Sequence, residues 1–574
     1  MTSEDRILAV LNQVYGESTA RQVGARIQAR LTDFVEETPS IKERRATLSQ
    51  QDAILITYGD QVRQPGAPPL KTLAEFGRDY LKDVLSGVHI LPFFPYSSDD
   101  GFSVIDYCQV NPELGTWDDI TRLDREFRLM FDAVINHISV ESDWFQAFLK
   151  GETPYEGYFI TVEPGTDLSM VVRPRALPLL TEFTTPSGPE HVWTTFSADQ
   201  VDLNYASPHV LLEIIDVLLF YVRQGAEFIR LDAIAYLWKE TGTSCIHLPQ
   251  THAIVQLFRA ILDLVTPFAM LITETNVPHT DNISYFGDGT NEAQLVYNFA
   301  LPPLVLHAIH QGRAEVLSKW AADLSLPSEQ TTFFNFLASH DGVGLNPARG
   351  ILPESEIEAM VARVQSHGGL VSYKTNADGT QSPYELNVNY FDALSDPRGT
   401  DPPGLQVDRF VAAHAIMLCL VGVPGIYFHS LFGSRGWPEG VAQTGHNRTI
   451  NRQKLNRAEL EAELAKPGSI CSMVYQRLAH LLKIRSVQPA FHPHGKQRVL
   501  GSQPEVFALM RVSPDGGERV LCLVNLADQP QPIRVDLADL GAEIAFDLID
   551  RGKEHYERLS IDLPPYQIVW LKLA

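Results

Sequence analysis

Eight short apolar runs, each ending in polar or charged residues and separated by longer helical stretches, constrain this chain more than any other feature. They are Ala53–Tyr58, Val88–Phe94, Leu129–Ile135, Glu227–Asp232, Ala269–Glu274, Leu295–Phe299, Thr332–Leu337 and Val423–Phe428. Strands buried on both faces read as continuous apolar runs rather than alternating ones. Amphipathic segments such as Val210–Val222, Ala253–Val265 and Glu354–Gln365 lie between them. Buried strands alternating with helices predict a parallel sheet closed into an α/β barrel of the (β/α)8 TIM type.

The remaining chain predicts additions to that barrel. Residues 1–50 carry apolar positions at helical spacing (Ile7, Leu8, Leu11, Val14 and Tyr15, then Val23, Ile27 and Leu31) and read as an N-terminal helical extension. The catalytic barrel is expected over 51–140 and 206–489. Residues 141–205, rich in Pro, Gly and Thr, form a small inserted domain after the third strand. The gap before the eighth run, 343–408, predicts a long active-site loop region. From 490 to 574, short strand-like runs separated by Gly, Pro and Asp predict an antiparallel β domain.

Composition narrows the partners. Seventy acidic residues against 46 basic give a net charge of −24, which disfavours nucleic acid and anionic membrane and means that an anionic substrate needs a local cationic pocket. The most apolar stretch, Val411–Phe428, carries His414 and Pro424 and reads as a buried helix feeding a strand, not a membrane span. Five scattered cysteines without a CxxC pair point away from a disulfide framework or zinc site. With an N-terminus that lacks a long apolar run, they predict a cytoplasmic protein.

A TIM barrel gathers its chemistry at the C-terminal ends of its strands. Run three ends in Asn136-His137, run four in Arg230-Leu-Asp232, run five in Glu274, and His340-Asp341 follows run seven. Alone, each Asp is as well explained as a helix cap and each His as a satisfied polar group. Together, three carboxylates suit glycosyl transfer: one attacks the anomeric carbon and one protonates the leaving oxygen. In retaining enzymes these two stand about 5–5.5 Å apart. Arg230, two residues before Asp232, falls on the same side of the strand and would keep a nucleophile ionised.

These motifs resemble the α-amylase superfamily, glycoside hydrolase family 13. Asp132-Ala-Val-Ile-Asn-His137, Arg230-Leu-Asp-Ala-Ile-Ala-Tyr236, Glu274 and His340-Asp-Gly342 are similar to its four motifs. Further segments resemble its sucrose phosphorylase group: Gly101-Phe102, Arg173-Pro-Arg175, Lys239-Glu-Thr-Gly-Thr-Ser-Cys245, Phe299-Ala-Leu-Pro-Pro303 and His340-Asp-Gly-Val-Gly344. The resemblance runs from about 52 to 455. It implies that Asp232 is the nucleophile, Glu274 the acid/base and Asp341 the transition-state stabiliser. It implies that Asp99 (or the adjacent Asp100), Phe102, His137, Phe196, Arg230, Tyr236, His340 and Arg448 surround the glucosyl unit, and that Arg175 and Tyr384 bind phosphate. No metal or organic cofactor is implied; inorganic phosphate is a co-substrate.

The acceptor segment departs from the sucrose pattern. Ser382 and Glu385 flank Tyr384 where that group places an Asp and a Gln, so Glu385 enters the candidate substrate-binding set without a fructose partner. Trp193-Thr-Thr-Phe196, Ile246-His-Leu-Pro-Gln250 and Ser372-Tyr-Lys-Thr375 look more like glucosylglycerate and glucosylglycerol phosphorylases. If the acceptor is glycerate, Lys374 or Arg173 is expected to meet its carboxylate. The leading expectation is a phosphorylase acting on such a small α-glucoside, as a monomer or homodimer. The alternatives are sucrose or sucrose 6′-phosphate as substrate, an α-glucosidase or transglucosidase with the same triad, and a non-catalytic barrel.

Overall fold

The computed structural model describes residues 2–39, 44, 47–175, 177–376, 379–501, 503–550 and 554–574. All eight apolar runs become the strands of one closed parallel barrel. The strands are β1 (Ile54–Thr57), β2 (Gly87–Ile90), β3 (Arg128–Ala133), β4 (Ala226–Leu231), β5 (Met270–Thr273), β6 (Leu295–Tyr297), β7 (Thr332–Asn335) and β8 (Val423–Tyr427). Closure is made at β1, where Ile54 pairs with Gly87 of β2 and with Gly425 of β8. The strand residues are buried almost throughout, which is why they are apolar without alternation.

Two helices precede the barrel: α1 (Ser3–Tyr15) and α2 (Glu17–Glu37). Thr2 and Asp5 form a capping box that satisfies the first N–H groups of α1. Ile7 and Leu11 face inward as the periodicity predicts, whereas Leu8 remains 46% exposed. Arg6 of α1 reaches Asp263 of the helix Pro249–Val265 at 3.3 Å, and Arg30 of α2 reaches Asp216 of the helix Pro208–Arg223 at 2.9 Å. The extension thus clasps the outer helices that follow β4 and precede it.

Between β3 and β4 lie a helix (Asp143–Leu149) and a hairpin (Leu180–Thr185 with Gly188–Trp193). A short strand, Gln200–Asp202, pairs with His137–Ser139. This last pairing ties the inserted segment to the chain leaving β3.

The segment expected to be a long loop before β8 is instead built. It contains a helix (Glu354–Ser366) and a three-stranded antiparallel sheet of Val343–Gly344, Gln381–Asn387 and Leu370–Thr375. Pro383 and the polar composition of Gln381–Asn387 hide that strand from a reading based on apolar runs. Two glycines make its approach possible. A Cβ on Gly342 would stand 2.3 Å from the Leu386 carbonyl oxygen, and one on Gly344 would stand 2.5 Å from Asn276 Oδ1. The sheet therefore presses directly against the turn that carries Asp341.

Val411–Phe428 resolves into the end of a buried helix (Pro403–Cys419) feeding β8. No helix among the described residues is long and apolar enough to cross a membrane. At the C-terminus, Lys496–Val499, Val506–Val512, Arg519–Asn525 and Ile568–Leu573 form the antiparallel core of a sheet. Ile544–Asp547 and Glu554–Tyr556 extend it, and Gln531–Asp536 pairs separately with Arg558–Leu563.

Candidate active site

The strand ends converge as the barrel requires. Asp232, Glu274 and Asp341 line one pocket together with Asp99, Phe102, His137, Arg175, Phe196, Tyr236, His340, Tyr384 and Arg448. Of the two adjacent acids the sequence left open, Asp99 is on this wall and Asp100 is not.

Arg230 organises the centre from below. It pairs with buried Asp132 and donates from Nη1 to Asp232 Oδ1 at 2.8 Å, while its Nη2 stands 3.8 Å from Glu274 Oε1. Asp132 is held on its other side by His89 at 2.7 Å. Burial is the largest influence on the Asp232 and Glu274 carboxyls and lifts them, Glu274 to about 7 and Asp232 to about 6. Arg230 opposes the rise, and each carboxylate raises the other. The closer guanidinium contact favours the charge on Asp232. Between the two, that contact favours Glu274 as the carboxyl that keeps a proton.

The backbone contributes as well. Ala233, directly after Asp232, is left-handed (φ 48°, ψ 31°), a conformation that costs a non-glycine residue about 1 kcal/mol or more. That turn aims the Ala233 N–H at Glu274 Oε2, 2.9 Å away. The strain sits at the junction of the two carboxylates and fixes their relative position.

Asp341 is bracketed by two arginines: Arg448 Nη1 at 2.5 Å and Arg452 Nη2 at 3.7 Å. Phe102 stacks on His340 (centroids 4.7 Å, interplanar angle 6°) and Phe196 meets Tyr236 edge-on. Burial, then the charges of Arg452 and Arg230, keep His340 neutral well below the usual imidazole range. His137 reaches the pocket but spends both ring nitrogens on protein, Nε2 on the Phe102 carbonyl at 2.9 Å and Nδ1 on the Asn136 amide at 3.2 Å.

Three placements differ from expectation. Glu385 is not on the pocket wall. It is 1% exposed and grips Arg448 in a fork, Nε–Oε1 at 3.0 Å and Nη2–Oε2 at 2.7 Å, so it positions Arg448 rather than facing a substrate. Lys374 lies near Arg349 and Glu354, and Arg173 donates to the Leu177 carbonyl; neither lines the pocket. Arg452 was not singled out by the sequence, yet it pairs with Asp100 at 2.7 Å and Asp99 at 3.4 Å and takes the His340 carbonyl at 3.0 Å. The run His446–Arg452 holds two arginines, and only the fold assigns each its partner. Gln200 and Asn276 also line the pocket unannounced.

Outward from this pocket, a vestibule of about 490 Å³ shares Asp99, Arg175, Phe196, Gln200 and Arg448 with it and adds Ser372, His446 and Asn447. Among the described residues no group of three or more His, Cys, Asp or Glu is arranged to hold a metal ion.

A closed parallel barrel with three carboxylates and a buried arginine at its C-terminal mouth defines a class of glycoside-processing barrels. The comparisons give the family. Residues 78–343 match the α-amylase catalytic domain, and residues 498–570 match the C-terminal domain of maltogenic amylase. The glucosylglycerate phosphorylase of Spirochaeta thermophila is 52% identical over 584 residues, spanning 100% of this chain and 99% of that protein. The glucosylglycerate phosphorylase of Escherichia coli is 46% identical over 573 residues, spanning 99% and 100%. The crystal structure of sucrose 6F-phosphate phosphorylase from Thermoanaerobacter thermosaccharolyticum matches with a TM-score of 0.72 at 27% identity, covering 83% of this chain and 94% of that one. The chain belongs to the α-amylase family, glycoside hydrolase family 13, and its end-to-end relatives are glycoside phosphorylases.

Proposed function

We propose that the chain is a retaining glycoside phosphorylase that cleaves glucosylglycerate with inorganic phosphate, giving α-D-glucose 1-phosphate and glycerate. One observation carries the reading: Asp232 and Glu274 are paired over Arg230, with the proton favoured on Glu274, in a chain 52% identical end to end to a glucosylglycerate phosphorylase.

In the first half-reaction Asp232 attacks the anomeric carbon while Glu274 gives its proton to the departing glyceryl oxygen, forming a β-glucosyl ester. In the second, a phosphate oxygen attacks the same carbon from the side glycerate left. The ester bond breaks, and any proton released passes to Glu274. Asp341, fixed by Arg448 and Arg452, stabilises the positive charge that develops on the ring. Asp99, Phe102, His137, Phe196, Tyr236, His340 and Arg448 surround the glucosyl unit, while Arg230, expected among them, is buried behind the wall on Asp132 and Asp232; Arg175 and Tyr384 take phosphate. Sucrose fits less well. Glu385 is committed to Arg448 and the Ser382 hydroxyl to Asn376 Oδ1 at 3.0 Å, which removes both from a fructose site. The chemistry calls for no metal or organic cofactor. We place the enzyme in the cytoplasm, as a monomer or homodimer.

Two displacements preserve configuration, so the glucose 1-phosphate first formed is expected to be the α anomer, read by proton and phosphorus NMR during phosphorolysis. A β anomer as first product would mean single displacement and remove Asp232 from the nucleophile's role.

A further inference from the structure

The site must accept two different anions, and its cations are nearly all committed. Three arginines line the catalytic pocket and the vestibule: Arg175, Arg448 and Arg452. Arg448 is held by Asp341 and Glu385, at 2.5 and 2.7 Å. Arg452 is held by Asp100, Asp99 and Asp341. Behind the wall, Arg230 is taken by Asp132 and Asp232, and Lys239 by Asp202 at 2.5 Å. Each carboxylate already bound to a guanidinium cancels the charge that an incoming anion would meet.

Arg175 differs. It lines both cavities, and no carboxylate among the described residues stands within ion-pair distance of it. Its charge acts on the Tyr236 and Tyr384 phenols, so the three groups share one neighbourhood. A guanidinium fork matches the two oxygens of a carboxylate as well as it matches two oxygens of phosphate.

The order of the reaction lets one cation serve both. Glycerate leaves before phosphate enters. Both must use the side of the anomeric carbon that Glu274 faces, because Glu274 protonates the first and takes any proton from the second.

We propose that Arg175 is the specificity-determining cation for both anions, reading the glycerate carboxylate in one half-reaction and phosphate in the other. This replaces the expectation that Lys374 or Arg173 meets the carboxylate, and it rests on the phosphorylase reading above. The enzyme selects an anionic three-carbon acceptor over a neutral one with the same group that selects phosphate over water.

The test forms the glucosyl-enzyme without either anion, from α-D-glucosyl fluoride, and measures partition ratios. Full-length wild type and Arg175→Gln are given glycerate with glycerol, or phosphate in water, and the products are quantified. In Arg175→Gln both the glycerate-to-glycerol ratio and the phosphate-to-water ratio should fall, each by about 30-fold or more, the range of hydrogen bonds to a charged group. Arg175→Lys should recover part of both. Ratios do not depend on how much active enzyme each variant yields. A fall in the phosphate ratio alone overturns the shared-cation proposal and leaves the phosphorylase reading standing; so does a fall in neither. A wild type that captures neither anion overturns the phosphorylase reading, and this proposal with it.

Discussion

Asp232→Asn abolishes phosphorolysis, by about 10⁴-fold or more, and leaves the protein folded. The amide fills the carboxylate's volume, and its oxygen can still accept from Arg230, which retains its buried partner Asp132. What is lost is the proposed nucleophile. Stability should not fall with activity. Burial raises the Asp232 carboxyl to about 6, so the fold disfavours its charge, and the wild type gives up stability as pH climbs through that value. Asn carries no such charge, and the Tm at pH 7.5 should stay level or rise. Initial phosphorolysis rates and thermal unfolding of the same preparations check both halves. Residual activity within tenfold of wild type would remove Asp232 from the chemistry.

Glu274→Gln discriminates among leaving groups. Departure of a glyceryl oxygen needs a proton, so phosphorolysis of glucosylglycerate should fall by about 10²–10⁴-fold. Fluoride leaves with far less protonation, and α-D-glucosyl fluoride consumption should fall much less. The pH profile carries the same signature. Glu274 must be protonated for the first step, and its carboxyl is raised to about 7 by burial and by Asp232 and Asp341. Wild-type glucosylglycerate cleavage should therefore decline as pH rises through about 7, and that limb should vanish when Glu274→Gln acts on the fluoride. Equal losses on the two substrates would assign the proton to another group.

How much of this was legible in the sequence follows from where each residue gets its role. The eight strands were readable because a parallel barrel strand is buried on both faces and announces itself as a continuous apolar run. The carboxylates were readable because Asp232 and Glu274 directly end such runs and Asp341 follows one closely. The sheet around Gln381–Asn387 was not, because that central strand is mostly polar and Pro383 interrupts it. In the C-terminal domain, Arg558–Leu563 alternates polar and apolar residues with Leu559 and Leu563 turned inward, and a reading built on continuous apolar runs passes over it.

Partner choice was hidden more deeply. Glu385 and Arg448 are 63 residues apart, and nothing in either segment announces the fork between them. Arg173 and Arg175 are two positions apart in one turn; one is spent on the Leu177 carbonyl, while the other has no carboxylate within ion-pair distance among the described residues and lines the site. Which cation is available to a ligand is decided by tertiary pairing, not by residue type.

The most direct test of the central claim is a product assay. Purified protein is given glucosylglycerate with and without inorganic phosphate, with glucosylglycerol and sucrose in parallel, and glucose 1-phosphate and free glucose are quantified separately. Phosphate-dependent glucose 1-phosphate, strongest from glucosylglycerate, is the predicted result. Free glucose released at the same rate whether or not phosphate is present would contradict it, leaving a hydrolase with the same three carboxylates and Arg175 without its anions.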